Sequence, residues 1–231
     1  KSVVLIDEKA FYNCYALVDI SLEKGLLSIG KEAFESCSSL ENIIFPEGVT
    51  SSGDEAFEGC TSLTSIIIPS SVTSFGVNLF TRCDSLTSVY YNGTINNWCN
   101  IIFDGYTSNP LYYANEFYIL DENKEYKEVI EVVIPNTIES IGNYQFYNYD
   151  NLISVDIISN VTKIGEKAFY GCSALESITI PSTVKTIGRS AFYDCSSISS
   201  LVIEDGVESI GDYVFKNCTS LTSFVAPDGP A

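Results

Sequence analysis

The chain has 231 residues, 45% of them hydrophobic and 13% aromatic, which is ample for a continuous core and excludes a disordered chain. Lys+Arg 12 against Asp+Glu 30 gives a net charge of -18, a field that repels nucleic-acid phosphates and anionic lipid headgroups. No apolar stretch reaches the roughly 18 residues of a membrane span, so neither nucleic acid nor membrane insertion is expected of this fragment.

In chain order, the first unit runs through Val3, Ile6, Ala10, Phe11, Cys14, Leu17, Ile20 and Leu22. The second repeats those offsets at Leu26, Ile29, Ala33, Phe34, Cys37, Leu40, Ile43 and Phe45, and a third follows at Val49, Ala56, Phe57, Cys60, Leu63, Ile66 and Ile68. Only Ser52 breaks its column. A fourth holds Val72, Phe75, Phe80, Cys83, Leu86, Val89 and Tyr91, with Leu79 in place of Ala. The step is 23 residues, and self-similarity at that period is the signature of a solenoid.

Within each unit the tail L-x-x-I-x-I alternates with the period of a strand and stops at Pro46, Pro69, Pro135 or Pro181, which lack a backbone donor. Upstream, Ile-Gly is followed by x-x-Ala-Phe-x-x-Cys. Gly30, Gly53, Gly76, Gly142, Gly165, Gly188 and Gly211 read as turn glycines, and the three-residue spacing of Phe and Cys reads as helical. The expectation is one short strand and one short helix or tight turn per unit. Such a unit cannot bury its own apolar face, so neighbouring coils must cover one another.

The pattern breaks between Asn92 and Glu128, which replaces about two coils. Thr94 is placed to cap a short helix carrying Trp98, and Asn109 with Pro110 to start another. Phe117 to Leu120 and Glu125 to Lys127 flank Asp-Glu-Asn-Lys as a hairpin. Register resumes at Val129, Val132 and Ile134, and continues through Ile164–Lys185 and Ile187–Glu208, where Cys172, Cys195 and Cys218 keep the step. Tyr149 replaces Cys in its column. The reading is one continuous domain: repeats over 1–91, an irregular insertion over 92–128 and repeats over 129–231.

The pattern I-G-x-x-A-F-x-x-C-x-x-L-x-x-I-x-I-P resembles the BspA-like (Treponema pallidum type) leucine-rich repeats of bacterial surface proteins over roughly 1–91 and 126–227. The resemblance implies an α/β solenoid, a curved right-handed leucine-rich repeat superhelix. It also implies a secreted or cell-surface location, and adhesion to a host or microbial protein or glycan. It brings no catalytic residues. Nothing at the start reads as a signal peptide, because Lys1 to Leu5 already belong to a repeat; Lys1 and the closing PDGPA read as cuts in a longer array.

Seven of the eight cysteines share one core column, where stacked coils hold Cβ atoms about 4.8 Å apart, beyond disulfide reach. They read as buried free thiols, with Cys99, off the column, as the exposed one. No C-x-x-C suggests zinc. With no histidine, Ser-His-Asp and Cys-His catalysis is excluded, and Glu41, Glu176 and Asp156 stand isolated on strands. A non-enzyme without cofactor or metal is expected, monomeric as a single array.

Alternation points Asn42, Ser65, Ser88, Ser154, Ser177, Ser200 and Ser223 outward in one row, with Ile44, Ile67, Tyr90, Asp156, Thr179, Val202 and Val225 beside it. The candidate ligand-binding residues on this concave sheet are Ile44, Ser65, Ile67, Ser88 and Tyr90. Ser and Thr also simply suit a pleated solvent face, with hydroxyl pairs across strands. A second candidate is an aromatic platform of Trp98, Tyr112 and Tyr113, against the reading of these rings as the insertion's private core. Two functions stay open: an adhesion or recognition module, and a structural spacer with no ligand of its own.

Overall fold

The computed structural model of the protein describes residues 2–158 and 160–225; Lys1 and the closing PDGPA lie outside the described residues. The chain divides into two compact units, Lys1–Glu128 and Val129–Ala231.

The coils of the first unit build two sheets. The L-x-x-I-x-I tails form strands Asn42–Ile44, Ser65–Ile68, Ser88–Tyr91 and Glu116–Leu120, and Tyr126–Glu128 closes this sheet by running antiparallel to the last. A second sheet is built from two-residue strands just before the Gly column: Leu5–Ile6, Ser28–Ile29, Ser51–Ser52, Ser74–Phe75 and Ile102–Phe103. The tail of the first coil, around Ile20, forms no strand. The second unit repeats the plan. Short strands Ser140–Ile141, Lys163–Ile164, Thr186–Ile187 and Ser209–Ile210 make one sheet, while Glu131–Ile134 pairs with Ser154–Ile157, and Ser200–Ile203 lies between Ser177–Ile180 and Ser223–Val225.

The helical expectation for the Ala-Phe-x-x-Cys segment is corrected. Its backbone donors divide alternately: Ala10, Tyr12 and Cys14 donate three residues back, to Asp7, Lys9 and Phe11, while Lys9, Phe11 and Asn13 donate across to Lys31, Ala33 and Glu35 of the next coil at 2.7–3.0 Å. An α-helix would spend every donor on its own chain four residues back. Here half are spent on stacking. The alternation needs left-handed residues, found at Glu32 and Ser36, Glu55 and Gly59, and Ser190 and Asp194. Among the described residues, helix is confined to one α-turn, Ile95–Trp98, and two 3-10 turns, Tyr106–Ser108 and Pro110–Tyr112. The chain is a β-solenoid rather than an α/β one.

The glycine column also has a different cause from the turn expected of it. Its members are absent from the glycines with positive φ. A Cβ on Gly53 would lie 2.7 Å from the Lys31 nitrogen, and one on Gly76 2.5 Å from the Asp54 nitrogen. The column is glycine because each coil's backbone passes directly against the previous one.

Inside, the phenylalanines pile face to face. Phe11, Phe34 and Phe57 stack at centroid distances of 4.9 and 5.2 Å; Phe146, Phe169, Phe192 and Phe215 stack at 5.4, 5.2 and 5.5 Å with rings within 8° of parallel. Beside them the thiols of Cys37, Cys60, Cys83, Cys172, Cys195 and Cys218 donate to the carbonyl of the Phe one coil back at 3.1–3.3 Å. All eight cysteines are free. The Tyr149 hydroxyl, in the same column, donates to the Val129 carbonyl at 2.7 Å, so this column tolerates a larger side chain whose donor finds a backbone acceptor.

Cys99 is buried and Cys14 exposed, the reverse of the expectation. Cys99 closes the helical turn beneath Trp98, whereas no described coil covers Cys14. Burial raises the thiols, Cys37 and Cys218 to about 11 and Cys83 and Cys99 to about 12. In native buffer at pH 8 a thiol-reactive dye is therefore expected to label one cysteine rapidly, Cys14 by peptide mapping, and the rest only in denaturant. Rapid labelling of three or more would contradict this packing.

Rather than replacing two coils, residues 92–120 build one longer coil. Phe103 pairs with Phe75 and Phe117 with Val89, both in parallel. Thr94 caps its helical turn reciprocally: the Thr94 hydroxyl accepts from the Asn97 amide at 3.3 Å, and the Asn97 side chain from the Thr94 amide at 3.2 Å. The extra residues are absorbed by this turn and by the Asn109–Pro110 turn, where Asn109 accepts from the Leu111 amide at 2.9 Å.

Candidate interaction face

The site grows from the longer strands of the first unit. In Ser65–Ile68 burial alternates, so Ile66 and Ile68 enter the core and Ser65 and Ile67 face outward. Parallel register repeats that choice on each strand. Ile44, Ile67, Tyr90 and Tyr118 become direct neighbours across four strands, and Glu128 of the antiparallel strand sits opposite Tyr118. Beside them runs a polar row of Asn42, Ser65, Ser88 and Glu116.

The five residues expected to form a binding surface therefore lie on one face, in different states. Ile44 is 57% exposed, Ser65, Ile67 and Tyr90 are half-buried, and Ser88 is buried. The Ser88 hydroxyl donates to a Glu116 carboxylate oxygen at 2.6 Å, and the Ser65 hydroxyl to Asn42 Oδ1 at 2.6 Å. These hydroxyls tie strand to strand. Tyr90 stacks on Tyr118 at 4.9 Å and 11°, while Tyr126 meets it edge-on at 4.8 Å and donates its hydroxyl to Asn92 at 2.6 Å.

Glu116, Tyr126 and Glu128 escaped the sequence reading, and Tyr118 was legible only as one of the insertion's aromatic residues. Two-residue alternation in Phe117–Leu120 marks Tyr118 and Leu120 as sharing a face, but nothing in the sequence says that this strand pairs in parallel with Ser88–Tyr91. Burial raises the Tyr118 phenol above its usual range, helped by the carboxylates of Glu116 and Glu128. Burial also raises Tyr126, with Tyr90 adding to it. At the far end of the row a recess of about 470 Å³ opens beside Ile44 and Asn42, walled by Asp19, Ile20 and Leu22.

The second unit carries a plainer face. Ser177, Ser200 and Ser223 align in one row and Thr179, Val202 and Val225 in the next, with Ser154 and Asp156 on the strand Ser154–Ile157. A recess of about 410 Å³ lies over Ser154, Asp156, Ser177 and Thr179.

The aromatic platform is corrected in its main member. Trp98 has no exposed surface; its indole packs on Phe117 at 4.5 Å, Tyr91 at 5.3 Å and Phe103 at 5.6 Å. Tyr112 meets Tyr113 edge-on at 4.6 Å and Tyr106 edge-on at 5.2 Å. The buried indole therefore offers no outward plane, while Tyr112 and Tyr113 are half-buried.

Among the described residues, Glu32, Glu35 and Glu55 bring carboxylate oxygens within 4.8 Å of one another on the turn side. Lys9 lies 3.0 Å from Glu32, and Lys31 lies 3.3 Å from Glu32 and 3.7 Å from Glu55, which makes this an ion-pair network. Burial and the neighbouring glutamates raise Glu35.

Repeat, register and stacked columns together meet a known pattern: the sequence matches the BspA type leucine rich repeat region, in six copies, over residues 4–124 and 123–230. The chain belongs to this family. Among solved structures, this BspA-type chain is 24% identical to the pneumococcal vaccine antigen PcpA, with a TM-score of 0.63 over 96% of this chain and 59% of that one. It is 22% identical to a leucine-rich repeat protein from Eubacterium ventriosum ATCC 27560, with a TM-score of 0.52 over 97% of this chain and 70% of that one. A leucine rich cell surface protein from Faecalibacterium prausnitzii A2-165 is 23% identical over 99% of this chain and 77% of its own, with a TM-score of 0.49. No curated protein matches the sequence. Among the described residues, no helix is long and apolar enough to cross a membrane.

Proposed function

We propose that this BspA-type chain is a recognition module of a cell-surface or secreted protein, and that it holds a protein or glycan partner on the outer sheet face of its first unit. The observation that carries this reading is the unbroken apolar and aromatic row Ile44, Ile67, Tyr90 and Tyr118 left facing solvent. A strand face with no partner usually offers small polar side chains, as the serine rows here do. A contiguous apolar strip rimmed by polar groups marks an interaction surface. The location is the one that the resemblance of the BspA-type repeats implies, and their leucine-rich repeat character supports a role without catalysis.

The serine row of the second unit favours a second reading, in which the chain is a structural spacer in a longer surface protein, with no ligand of its own. The test is a glycan and extracellular-matrix protein array probed with the intact chain and with Ile44→Asp and Ile67→Asp. Binding that falls at least about tenfold in both variants, with unchanged thermal unfolding, is the expected result. An array blank for the intact chain would sink the recognition reading and leave the spacer.

A further inference from the structure

We infer that the partner held on this face is a basic polypeptide segment, whose lysine or arginine seats among Tyr90, Tyr118, Tyr126 and the Glu116 carboxylate while an apolar side chain rests on Ile44 and Ile67. The inference rests on the recognition reading above and adds the chemistry of the partner. Its ground is charge. The two rows of the face hold two carboxylates, Glu116 and Glu128, and no cation. They do so on a chain of net charge -18, whose field draws in a basic partner.

The Glu116 carboxylate is held in place by the Ser88 hydroxyl at 2.6 Å, beside the Tyr118 phenol, which in turn stacks on Tyr90. Carboxylate and phenol oxygens accept hydrogen bonds, and a guanidinium or ammonium brings several donors and a positive charge to them, with its methylene stem lying along the rings. The raised Tyr118 phenol, beside Glu116 and Glu128, agrees with an excess of negative charge at this point. A flat sugar fits less well, because the Tyr90 ring is taken by Tyr118 at 4.9 Å and by Tyr126 at 4.8 Å. The acidic end and the apolar end of the row lie about three strand spacings apart, roughly 14 Å. An extended peptide covers that in about four residues, and residues four apart point the same way. The segment should therefore carry its basic residue four positions from an apolar one.

The experiment pans a phage-displayed library of random peptides, about twelve residues each, against the intact chain. The peptides recovered are then measured against Glu116→Gln, Glu128→Gln and Ile67→Asp. Expected is enrichment of Lys or Arg four positions from an apolar residue, with affinity at least about tenfold weaker in Glu116→Gln and lost in Ile67→Asp. Glu128→Gln, at an exposed site, gives the same direction if Glu116→Gln perturbs folding. Enrichment of acidic or uncharged peptides overturns the inference, as does affinity untouched by both glutamate variants but lost in Ile67→Asp; both results leave the face as a binding surface. Affinity untouched by all three variants overturns the inference and the recognition face together. No enrichment at all overturns the polypeptide partner, and the array alone then judges the face.

Discussion

Replacing Phe169 by alanine is expected to cost about 3–5 kcal/mol of unfolding free energy, among the largest effects of any single substitution in the chain. Phe169 is fully buried with Phe146 at 5.4 Å on one side and Phe192 at 5.2 Å on the other, both near parallel. Truncation removes the ring's own burial and one face of two stacked pairs, each worth about 0.5–1.5 kcal/mol beyond area. In a stacked array each coil is stabilised by its neighbours, so a gap in one coil weakens the interfaces on both sides. Phe169→Leu, which keeps part of the volume, should fall between alanine and the wild type. Urea unfolding measures both. A loss below about 1 kcal/mol for Phe169→Ala would mean that the rings do not support one another as described.

Gly188→Ala is expected to cost about 3 kcal/mol although it adds a single methyl group, at the upper end of what overpacking does. Its Cβ would lie 2.5 Å from the Glu166 nitrogen and 2.6 Å from the Gly165 carbonyl carbon, both backbone atoms of the neighbouring coil. Neither can swing aside like the tip of a side chain. The coils must move apart, lengthening the stacking bonds on both sides of the column, including the 2.8 Å bond from the Gly188 amide to the Ile164 carbonyl. Gly105→Ala is the control, since its Cβ would find nothing closer than the Ser108 hydroxyl at 3.9 Å. That variant should unfold within about 0.5 kcal/mol of the wild type. Equal stability of Gly188→Ala and Gly105→Ala would refute close approach as the reason for the glycine column.

These effects bear on function because the face is only as regular as the stack behind it. Ile44, Ile67 and Tyr90 are neighbours solely because Ile43, Ile66 and Val89 are buried in register one residue before them. A one-residue slip in any coil would turn that strand's outer side chains inward.

Legibility in the sequence differed from residue to residue for physical reasons. The Phe and Cys columns could be read because a buried position at a fixed step admits few side chains. The Ala-Phe-x-x-Cys segment misled because three-residue spacing serves both a helix and a run of tight turns. The distinguishing sign lay one residue before the thiol, where Asn13, Gly59, Gly171, Asp194 and Asn217 tolerate the left-handed region, although Ser36 and Arg82 at the same position do not advertise it. Cys99 misled in the other direction, since leaving the column does not mean leaving the interior when a longer coil builds its own core.

The sequence by itself determined the period, the inward columns and the tail strands, because each depends on burial, which imposes a side-chain choice at every repeat. Only the tertiary structure decided where the turn amides go, why the glycines are needed, and that Glu116, Tyr118 and Tyr126 join Tyr90 on one face. Those outcomes turn on backbone groups meeting across coils, a contact that carries no side-chain signature at the residues that make it.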